Sequence, residues 1–266
     1  MKSASEKSHN AGLSIPRIVL FGAFLLFFVP VSAFAGLVGD DGSLLDPDNP
    51  DEVATVLEIV VVLTILSVAP AILILTTSFT RIVVVLAFLR HALATQQLPP
   101  NHIIIGLSLL LTVVVMGPTW EQMYQTGFKP FMDREISIRE ALHRAESPMR
   151  DFMFNQTRIT DVELMMSLAQ KSIPENATRK DVPTHLLVGS FVLSELTRAF
   201  TMGFVLYLPF VVIDLVISTT LISMGMLVLP PILISLPFKI LLFVLVDGWS
   251  LIVKSLVSSF YVHAPP

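Results

Sequence analysis

Long stretches without a charged side chain constrain the fold of this chain more than any other feature. Residues 59–80, 103–120 and 215–238 contain no Asp, Glu, Lys or Arg. About 20 apolar helical residues are enough to cross the roughly 30 Å hydrocarbon layer of a bilayer. Each run also contains proline, which kinks or breaks a helix. The sequence therefore predicts an all-α membrane protein with kinked helical hairpins.

Composition excludes several classes of function. The chain has no cysteine, which rules out disulfides, thiolate nucleophiles, iron–sulfur clusters and Cys-ligated zinc. Its net charge of −4 and its lack of a basic cluster give no indication of a nucleic-acid partner. The six histidines are scattered, and no nucleotide-binding loop or hydrolase motif is present. We expect no catalytic residue, no metal site and no cofactor.

The N-terminus has the composition of a secretion signal. Basic residues precede the apolar stretch 18–29, which is too short to span a bilayer. Pro30 follows this stretch, and small residues then favour cleavage between Ala35 and Gly36. The alternative is an uncleaved membrane anchor. Cleavage would leave Gly36 in the periplasm of a bacterial inner-membrane protein.

Charge density divides the rest of the chain. If residue 36 starts in the periplasm, the first span ends in the cytoplasm near Arg81 and Arg90, which agrees with the positive-inside rule. Charged residues then return in the stretch that follows the second uncharged run. The predicted parts are a signal peptide at 1–35, a flexible periplasmic lead-in at 36–55, hydrophobic helices at 56–120, a small periplasmic helical domain at 121–184, and hydrophobic helices at 185–266.

Three local patterns predict helix starts inside the 121–184 domain. Ser137-x-x-Glu140 and Thr160-x-x-Glu163 have the spacing of capping boxes. Ser147-Pro148 places a capping residue before a proline, which is favoured in a first helical turn. We expect three short helices here. A longer helix is predicted over 186–213, after the domain ends.

Ionisable side chains inside apolar segments are the first candidate functional group. Placing such a group in hydrocarbon costs free energy, so it usually pairs with another group or faces a protected interior. Glu195 and Arg198 are close enough on one helix to pair, and Asp214 and Lys239 are placed to pair across a proline-rich turn. With Asp247, these residues lock helices or subunits together in the interpretation we favour. The alternative is a proton or ion path.

A helix break at 223–231 is the second candidate. Gly225 and the pair Pro230-Pro231 prevent a continuous helix there. Irregular backbone at membrane depth is tolerated only against protein or a cavity. Met224 and Met226 lie in the break, and methionine adapts to varied surfaces. They either close a hole or fill a helix kink.

Ordered blocks of residues resemble the FliP family, whose injectisome counterpart is SctR. The resemblance covers about residues 50–260 and includes Phe79-Thr-Arg-Ile with Thr95-Gln-Gln-Leu-Pro-Pro, Ser194-Glu-Leu with Ala199-Phe200, Pro209-Phe210, Ile213-Asp214, Ser223-Met-Gly-Met, Pro230-Pro231, Leu236-Pro-Phe-Lys and Leu245-Val-Asp-Gly-Trp. Several blocks in one order are more specific than any single motif.

The resemblance implies a non-enzymatic subunit of a flagellar or type III export gate. Such subunits form a ring of five, join FliQ-like and FliR-like subunits in a helical assembly, and work with FlhB-like and FlhA-like export proteins. Unfolded secreted substrates pass through the central pore. The resemblance further implies helices that pack largely on one another above the bilayer plane. A cleaved signal and a large periplasmic domain favour the flagellar system.

The resemblance also implies a pore constriction at Met224, Met226, Leu227 and Val228. Leu227 and Val228 stand where flagellar relatives often have further methionines. Other departures are Ala94, where glycine is common, and the pair Thr197-Arg198, where a Lys-containing pair is usual. The competing hypothesis is a proton- or ion-coupled secondary transporter, which is disfavoured because the sequence has no internal repeat.

Overall fold

The computed structural model describes residues 50–95, 99–170, 179–226 and 229–261. Every regular element in these residues is helical, and the predicted all-α membrane fold is confirmed. The helices are α1 (Pro50–Thr76), α2 (Phe79–Ala92), α3 (Asn101–Met123), α4 (Lys129–Met132), α5 (Ile138–Gln156), α6 (Ile159–Leu168), α7 (Thr184–Ser223), α8 (Pro231–Leu245) and α9 (Gly248–Tyr261). A π-helical turn, Tyr124–Phe128, joins α3 to α4, and a 3₁₀ turn, Arg179–Asp181, precedes α7. The predicted signal peptide with its Ala35/Gly36 cleavage site lies outside the described residues.

The chain separates into two compact units, Met1–Pro70 and Ala71–Pro266. Within the first unit, the described part is the beginning of α1, an apolar helix with large exposed side chains. These side chains include Leu57, Val60, Val61, Val62, Ile65 and Val68. Pro70 lies inside α1, so the proline does not end the helix.

The core of the second unit forms where α2 packs against α7. Gly203 makes this packing close, because a Cβ there would lie 2.6 Å from the Phe88 ring. Phe88 also meets Phe200 edge-to-face, with ring centroids 5.3 Å apart. The surrounding buried cluster contains Ile82, Val85, Leu86, Leu89, Leu111, Val115, Ala199, Ile252, Leu256 and Phe260.

Segment 121–184, which carries most of the charged residues between the apolar helices, packs on those helices. At one end, α5 lies so close to the π-helical turn that a Cβ on Gly127 would come within 2.7 Å of the Ala141 carbonyl oxygen. At the other end, apolar residues of α5 and α6 share a buried cluster with the start of α7. That cluster contains Met153, Met166, Val182, Leu186, Leu187 and Phe191. The helices of segment 121–184 are thus held on α3 and α7.

One predicted helix start in this segment is confirmed and two are wrong. The Ser137 side chain accepts a hydrogen bond from the Glu140 N–H at 3.3 Å and caps α5. Thr160 instead lies inside α6, which Arg158 precedes as the N-cap. Pro148 lies in the middle of α5. Proline inside a helix costs about 3 kcal/mol, and here the buried face of α5 on both sides of Pro148 offsets that cost.

Three helical stretches are long and apolar enough to cross a membrane among the described residues, or four if the bent pair α8–α9 counts as one span. They are Leu57–Thr76, Asn101–Met132 and Thr184–Ser223. The third helix runs beyond the predicted end at 213 and has 40 residues, about 60 Å at 1.5 Å per residue. Helices α8 and α9 meet at a bend of 64°.

Candidate functional site

A buried ion pair joins α2 to α7. Arg81 donates from Nε to Glu195 Oε2 at 2.8 Å and from Nη2 to Glu195 Oε1. The side chains are 1% and 0% exposed. A two-point contact of this kind fixes both distance and orientation. A buried charge without its partner is strongly destabilising, so Arg81 and Glu195 depend on each other.

Arg81 also connects α5 and α9 to this pair. It donates from Nη2 to Gln156 Oε1 at 3.0 Å and from Nη1 to Ser259 Oγ at 2.9 Å. Its guanidinium carbon lies 3.8 Å from the centre of the Phe260 ring, a cation–π distance. Gln156 Nε2 in turn donates to the Phe260 carbonyl oxygen at 2.9 Å. One side chain therefore links four helices that are distant in sequence.

Glu195 does not pair with Arg198, the partner predicted from its spacing on the same helix, and that prediction is wrong. Both carboxylate oxygens of Glu195 accept from Arg81, while Arg198 Nη1 donates to Gln156 Oε1 at 3.0 Å. Arg81 was assigned only to the cytoplasmic end of a span. The spacing of Arg81 in α2 could have predicted its burial. Arg81, Val85 and Leu89 are four residues apart, share one face of α2 and are all buried.

A second charged group ties α6 to α7 in the same region. Arg158 donates from Nε and Nη2 to the two oxygens of Asp161, each at 2.8 Å. Ser194 Oγ donates to Asp161 Oδ2, and Arg158 N–H donates to Ser194 Oγ at 3.0 Å. Burial raises the pKa of Asp161, but hydrogen bonds from Arg158 and Ser194 outweigh it, and the pKa falls below its ordinary value of 3.8. The hydrogen bond to Asp161 raises the pKa of Arg158.

An open cleft lies where these two groups approach each other. It contains three arginines among its lining residues, and two of them belong to the ion pairs described above. The lining residues are Arg81, Arg158, Thr197, Arg198, Thr201, Met202 and Ser259. This cleft has more arginines than the apolar cavity lined by Leu86, Arg90 and Trp249, and it was not predicted from the sequence.

A third charged group braces the hairpin of α7 and α8. Lys239 Nζ donates to Asp214 Oδ2 at 2.6 Å, and Ser235 Oγ donates to Asp214 Oδ1 at 2.6 Å. Lys239 is only 2% exposed, whereas Asp214 is 33% exposed. This is the pairing considered from the sequence. It holds the two helices that flank the 223–231 break.

The break itself begins with a left-handed residue. Gly225 has φ +75°, and two backbone hydrogen bonds close the end of α7: Met226 N–H to the Leu221 carbonyl and Gly225 N–H to the Ile222 carbonyl, each at 3.0 Å. This is the Schellman arrangement, in which glycine is favoured because it has no Cβ. Helix α8 then starts at Pro231, after Pro230 as N-cap.

The methionines of the break project from the surface of the chain. Met224 is 67% exposed and Met226 is 40% exposed. Neither fills a kink inside the chain, which was the alternative considered from the sequence. Leu227 and Val228, the other two predicted constriction residues, lie outside the described residues.

The remaining predicted charge, Asp247, lies at the turn between α8 and α9. It has φ +50° and is exposed. Its carbonyl oxygen accepts from the Leu251 N–H at 3.1 Å, so the backbone of Asp247 starts α9. Among the described residues, no three His, Asp or Glu side chains converge as metal ligands.

Comparison with known proteins agrees with the resemblance seen in the sequence. A model of the FliP family matches residues 62–256. The chain is 49% identical over 218 residues to the flagellar biosynthetic protein FliP of Bacillus subtilis (strain 168), an alignment that covers 82% of this chain and 98% of that protein.

Two further relatives carry the same description. The FliP protein of Treponema denticola is 43% identical over 220 residues, with 83% of this chain and 81% of that protein covered. The FliP protein of Caulobacter vibrioides is 49% identical over 205 residues, with 77% and 76% covered. The family match includes both residues of the Arg81–Glu195, Arg158–Asp161 and Asp214–Lys239 pairs. The chain belongs to the FliP family.

Proposed function

We propose that this chain is the pore-forming core subunit of a flagellar protein export gate in the bacterial inner membrane. Copies of the chain form a ring, with five as the expected number, together with FliQ-like and FliR-like subunits. FlhB-like and FlhA-like export proteins are further partners, and unfolded secreted proteins are the substrates. The names of the relatives, flagellar biosynthetic proteins, favour the flagellum over the injectisome.

The observation that carries this proposal is the large apolar surface that the chain leaves uncovered. In the 18-residue apolar windows of the three candidate spans, 6%, 39% and 11% of the residues are buried within the chain itself. Exposed Phe200, Phe204 and Leu215 on α7 continue this surface. Apolar faces of this size need lipid or further subunits to cover them. Since α7 is about twice as long as a bilayer is thick, subunits cover part of it.

The exposed methionine turn is the proposed closure of the pore. In a ring, one turn from each copy would meet on the axis, and Met224, Met226, Leu227 and Val228 would present apolar side chains to one another. Flexible thioethers close a hole around ions yet repack around a passing polypeptide. The Asp214–Lys239 pair would hold the two helices on either side of this turn.

In this proposal, the paired charges hold helices together and do not carry protons. The Glu195 carboxylate accepts hydrogen bonds from Arg81, and the Asp214 carboxylate accepts from Lys239 and Ser235. A proton carrier needs a carboxylate that can release its partner and reach water. Glu195, with 0% exposure and a two-point contact, is poorly placed for this task. Arg198 and Asp247, which are not enclosed in this way, are the charges we assign to contacts between subunits.

The experiment is a subunit count on the detergent-extracted complex. Mass measurement of the intact particle should give five copies of this chain with FliQ-like and FliR-like subunits, and a density map should show the 223–231 turns around an axial passage. A secondary transporter would instead move ions when this chain is reconstituted alone. A particle with a single copy and no axial passage would contradict the proposal.

A further inference from the structure

The arginine cleft carries a positive charge that no carboxylate among the described residues balances. Its lining includes three arginines, two of which form ion pairs with Glu195 and Asp161. The third, Arg198, donates to an amide oxygen, Gln156 Oε1, at 3.0 Å, and this oxygen also accepts from Arg81. Three guanidinium groups beside two carboxylates leave one positive charge in excess.

Arg198 has donor groups left for one more partner. Its Nη1 atom is the one nitrogen that donates to a described side chain, and the remaining N–H groups of the guanidinium fork are free to bind a carboxylate with two hydrogen bonds. The neighbouring hydroxyl groups do not take this role, because Thr197 and Thr201 donate to the carbonyl oxygens of Leu193 and Thr197. Arg198 is therefore the group that an incoming carboxylate would contact.

Asp247 is a carboxylate without a cation, in an exposed apolar surface. It lies at the 64° bend between α8 and α9, has φ +50°, and takes part in none of the ion pairs among the described residues. Large apolar residues with exposures between 43% and 74% surround it in sequence. They are Val244, Leu245, Val246, Trp249 and Leu251. If another subunit covers this bend, the carboxylate of Asp247 loses its water and needs a cation.

Other exposed carboxylates lie in more polar surroundings than Asp247. The described residues that are exposed and form no ion pair include Glu58, Glu121, Asp133, Glu135, Asp151 and Glu163. Five of them belong to segment 121–184, where charged side chains are frequent. Glu58 is the second residue of the first candidate span and follows Asp51 and Glu52 closely. Asp247 is therefore the carboxylate whose coverage by another subunit would cost most without a partner.

Arg198 and Asp247 are separated by the length of α9. Ser259 lines the cleft and lies twelve residues after Asp247, about 18 Å along the helix at 1.5 Å per residue. One copy thus presents an unpaired cation near one end of α9 and an unpaired carboxylate at the other end. A ring of identical subunits is built from head-to-tail contacts of this kind, in which one surface of each copy meets a different surface of the next.

We propose that Asp247 of one copy enters the arginine cleft of the next copy and pairs with Arg198. The inference rests on the ring proposed above and names one of its contacts. The apolar bend around Asp247 would cover the face of α7 that continues from the cleft, where Val205 and Leu208 are exposed. The ion pair would balance the excess charge of the cleft and fix the register of neighbouring copies.

The first test measures the yield of the complex that the full-length chain forms with FliQ-like and FliR-like subunits. Asp247→Asn removes the charge and keeps the backbone, since asparagine tolerates positive φ as aspartate does. Asp247→Asn and Arg198→Gln should each lower the yield of the five-copy complex by at least about tenfold, because each leaves the other charge unpaired in the interface. Glu163→Gln, the matched control, removes an exposed carboxylate on α6 and should leave the yield unchanged.

Exchange of the two charges distinguishes a direct pair from two separate effects. Arg198→Glu with Asp247→Lys in one chain should give a higher yield than either substitution alone, because each interface then contains one charge of each sign. No gain over the single variants would overturn the pairing. A loss of assembly in Arg198→Gln without a loss in Asp247→Asn would show that a different carboxylate fills the cleft, which would also overturn it.

Cross-linking tests the contact itself, and the chain has no cysteine that would interfere. In the double variant Arg198→Cys, Asp247→Cys both charges are gone, so neither is left unpaired. A short bis-maleimide reagent should link successive copies of this variant into a ladder on a denaturing gel, whereas each single-cysteine variant should remain at the mass of one chain. Lys254 is the competing cation, because it is exposed on α9. A ladder from Asp247→Cys, Lys254→Cys and none from the first pair would overturn the proposal.

Failure of this contact and failure of the proposed gate give different results. Complexes of the double-cysteine variant that contain five copies but give no ladder would overturn the Arg198–Asp247 contact and leave the gate proposal intact. An unmodified chain that never assembles beyond a single copy would contradict both.

Discussion

Arg81 and Glu195 form a two-point ion pair across 114 residues of sequence, in a core where neither side chain is more than 1% exposed. Gln156, Ser259 and the ring of Phe260 also contact the Arg81 guanidinium. It fixes α2 against α7 and draws α5 and α9 to the same point. The architecture of the second unit depends on this pair.

Removal of one partner should be far more harmful than removal of both. Glu195→Ala or Arg81→Ala leaves a buried charge, and each should lower the free energy of unfolding by about 3–5 kcal/mol. The double variant Arg81→Met with Glu195→Leu should recover part of this loss. Thermal unfolding in detergent measures the effect.

The exposed pair of Arg144 and Glu140 provides the control for this cycle. Both side chains are 47% exposed, and Glu140→Ala should change stability by less than about 1 kcal/mol. Similar losses for Glu195→Ala and Glu140→Ala would show that the buried pair has no special role.

Much of the fold could be predicted from the sequence, because apolar runs, prolines and charge density are local signals. The break after α7 and the cap at Ser137 were predicted in this way, and the family was predicted from the ordered blocks of residues that resemble it. The partner of Glu195 was not predicted, because helical spacing favours a pair with Arg198, three residues away, over a pair with Arg81. Tertiary packing of α2 against α7 instead brings Arg81 to Glu195. For the same reason, the cleft formed by α2, α6, α7 and α9 has no signature in any one segment.

Low pH should weaken the contact of α6 with α7. The pKa of Asp161 is below 3.8 in the folded chain, so its contribution is fully present at neutral pH. This contribution is lost as the pH falls from 3.8 through the lower folded value, because the unfolded chain then binds the proton first. The melting temperature of Asp161→Asn should therefore lie below that of the unmodified chain at neutral pH. The difference should shrink in acid, and a constant difference would rule out this titration.

The crossing of α2 and α7 should tolerate no side chain at Gly203. Gly203→Ala places a Cβ 2.6 Å from the Phe88 ring and should destabilise the protein by about 1–3 kcal/mol. Phe88→Leu in the same chain should relieve part of the effect. Gly117→Ala is the matched control, because a Cβ there meets no atom within 4 Å. Alanine at position 117 should be neutral or stabilising, and equal losses at both glycines would contradict the packing argument.

The brace beside the break should matter for closure more than for folding. Lys239→Met leaves Asp214 with its Ser235 bond and with 33% exposure, so the chain should still assemble. Its α7–α8 hairpin should be looser, and the closed complex should leak ions. In the double variant Lys239→Met, Asp214→Leu, the closed complex should no longer leak ions. Failure of the single variant to assemble would show that the pair is needed earlier, for subunit assembly.

Ion conductance of the assembled gate in planar bilayers tests the central claim most directly. We expect the unmodified closed complex to be silent and the Met224→Ala, Met226→Ala double variant to conduct steadily, because smaller side chains leave a wetted gap at the turn. Met132→Ala, which truncates another exposed methionine, should remain silent. Unchanged conductance in the double variant, in complexes of normal composition, would contradict an apolar closure at this turn.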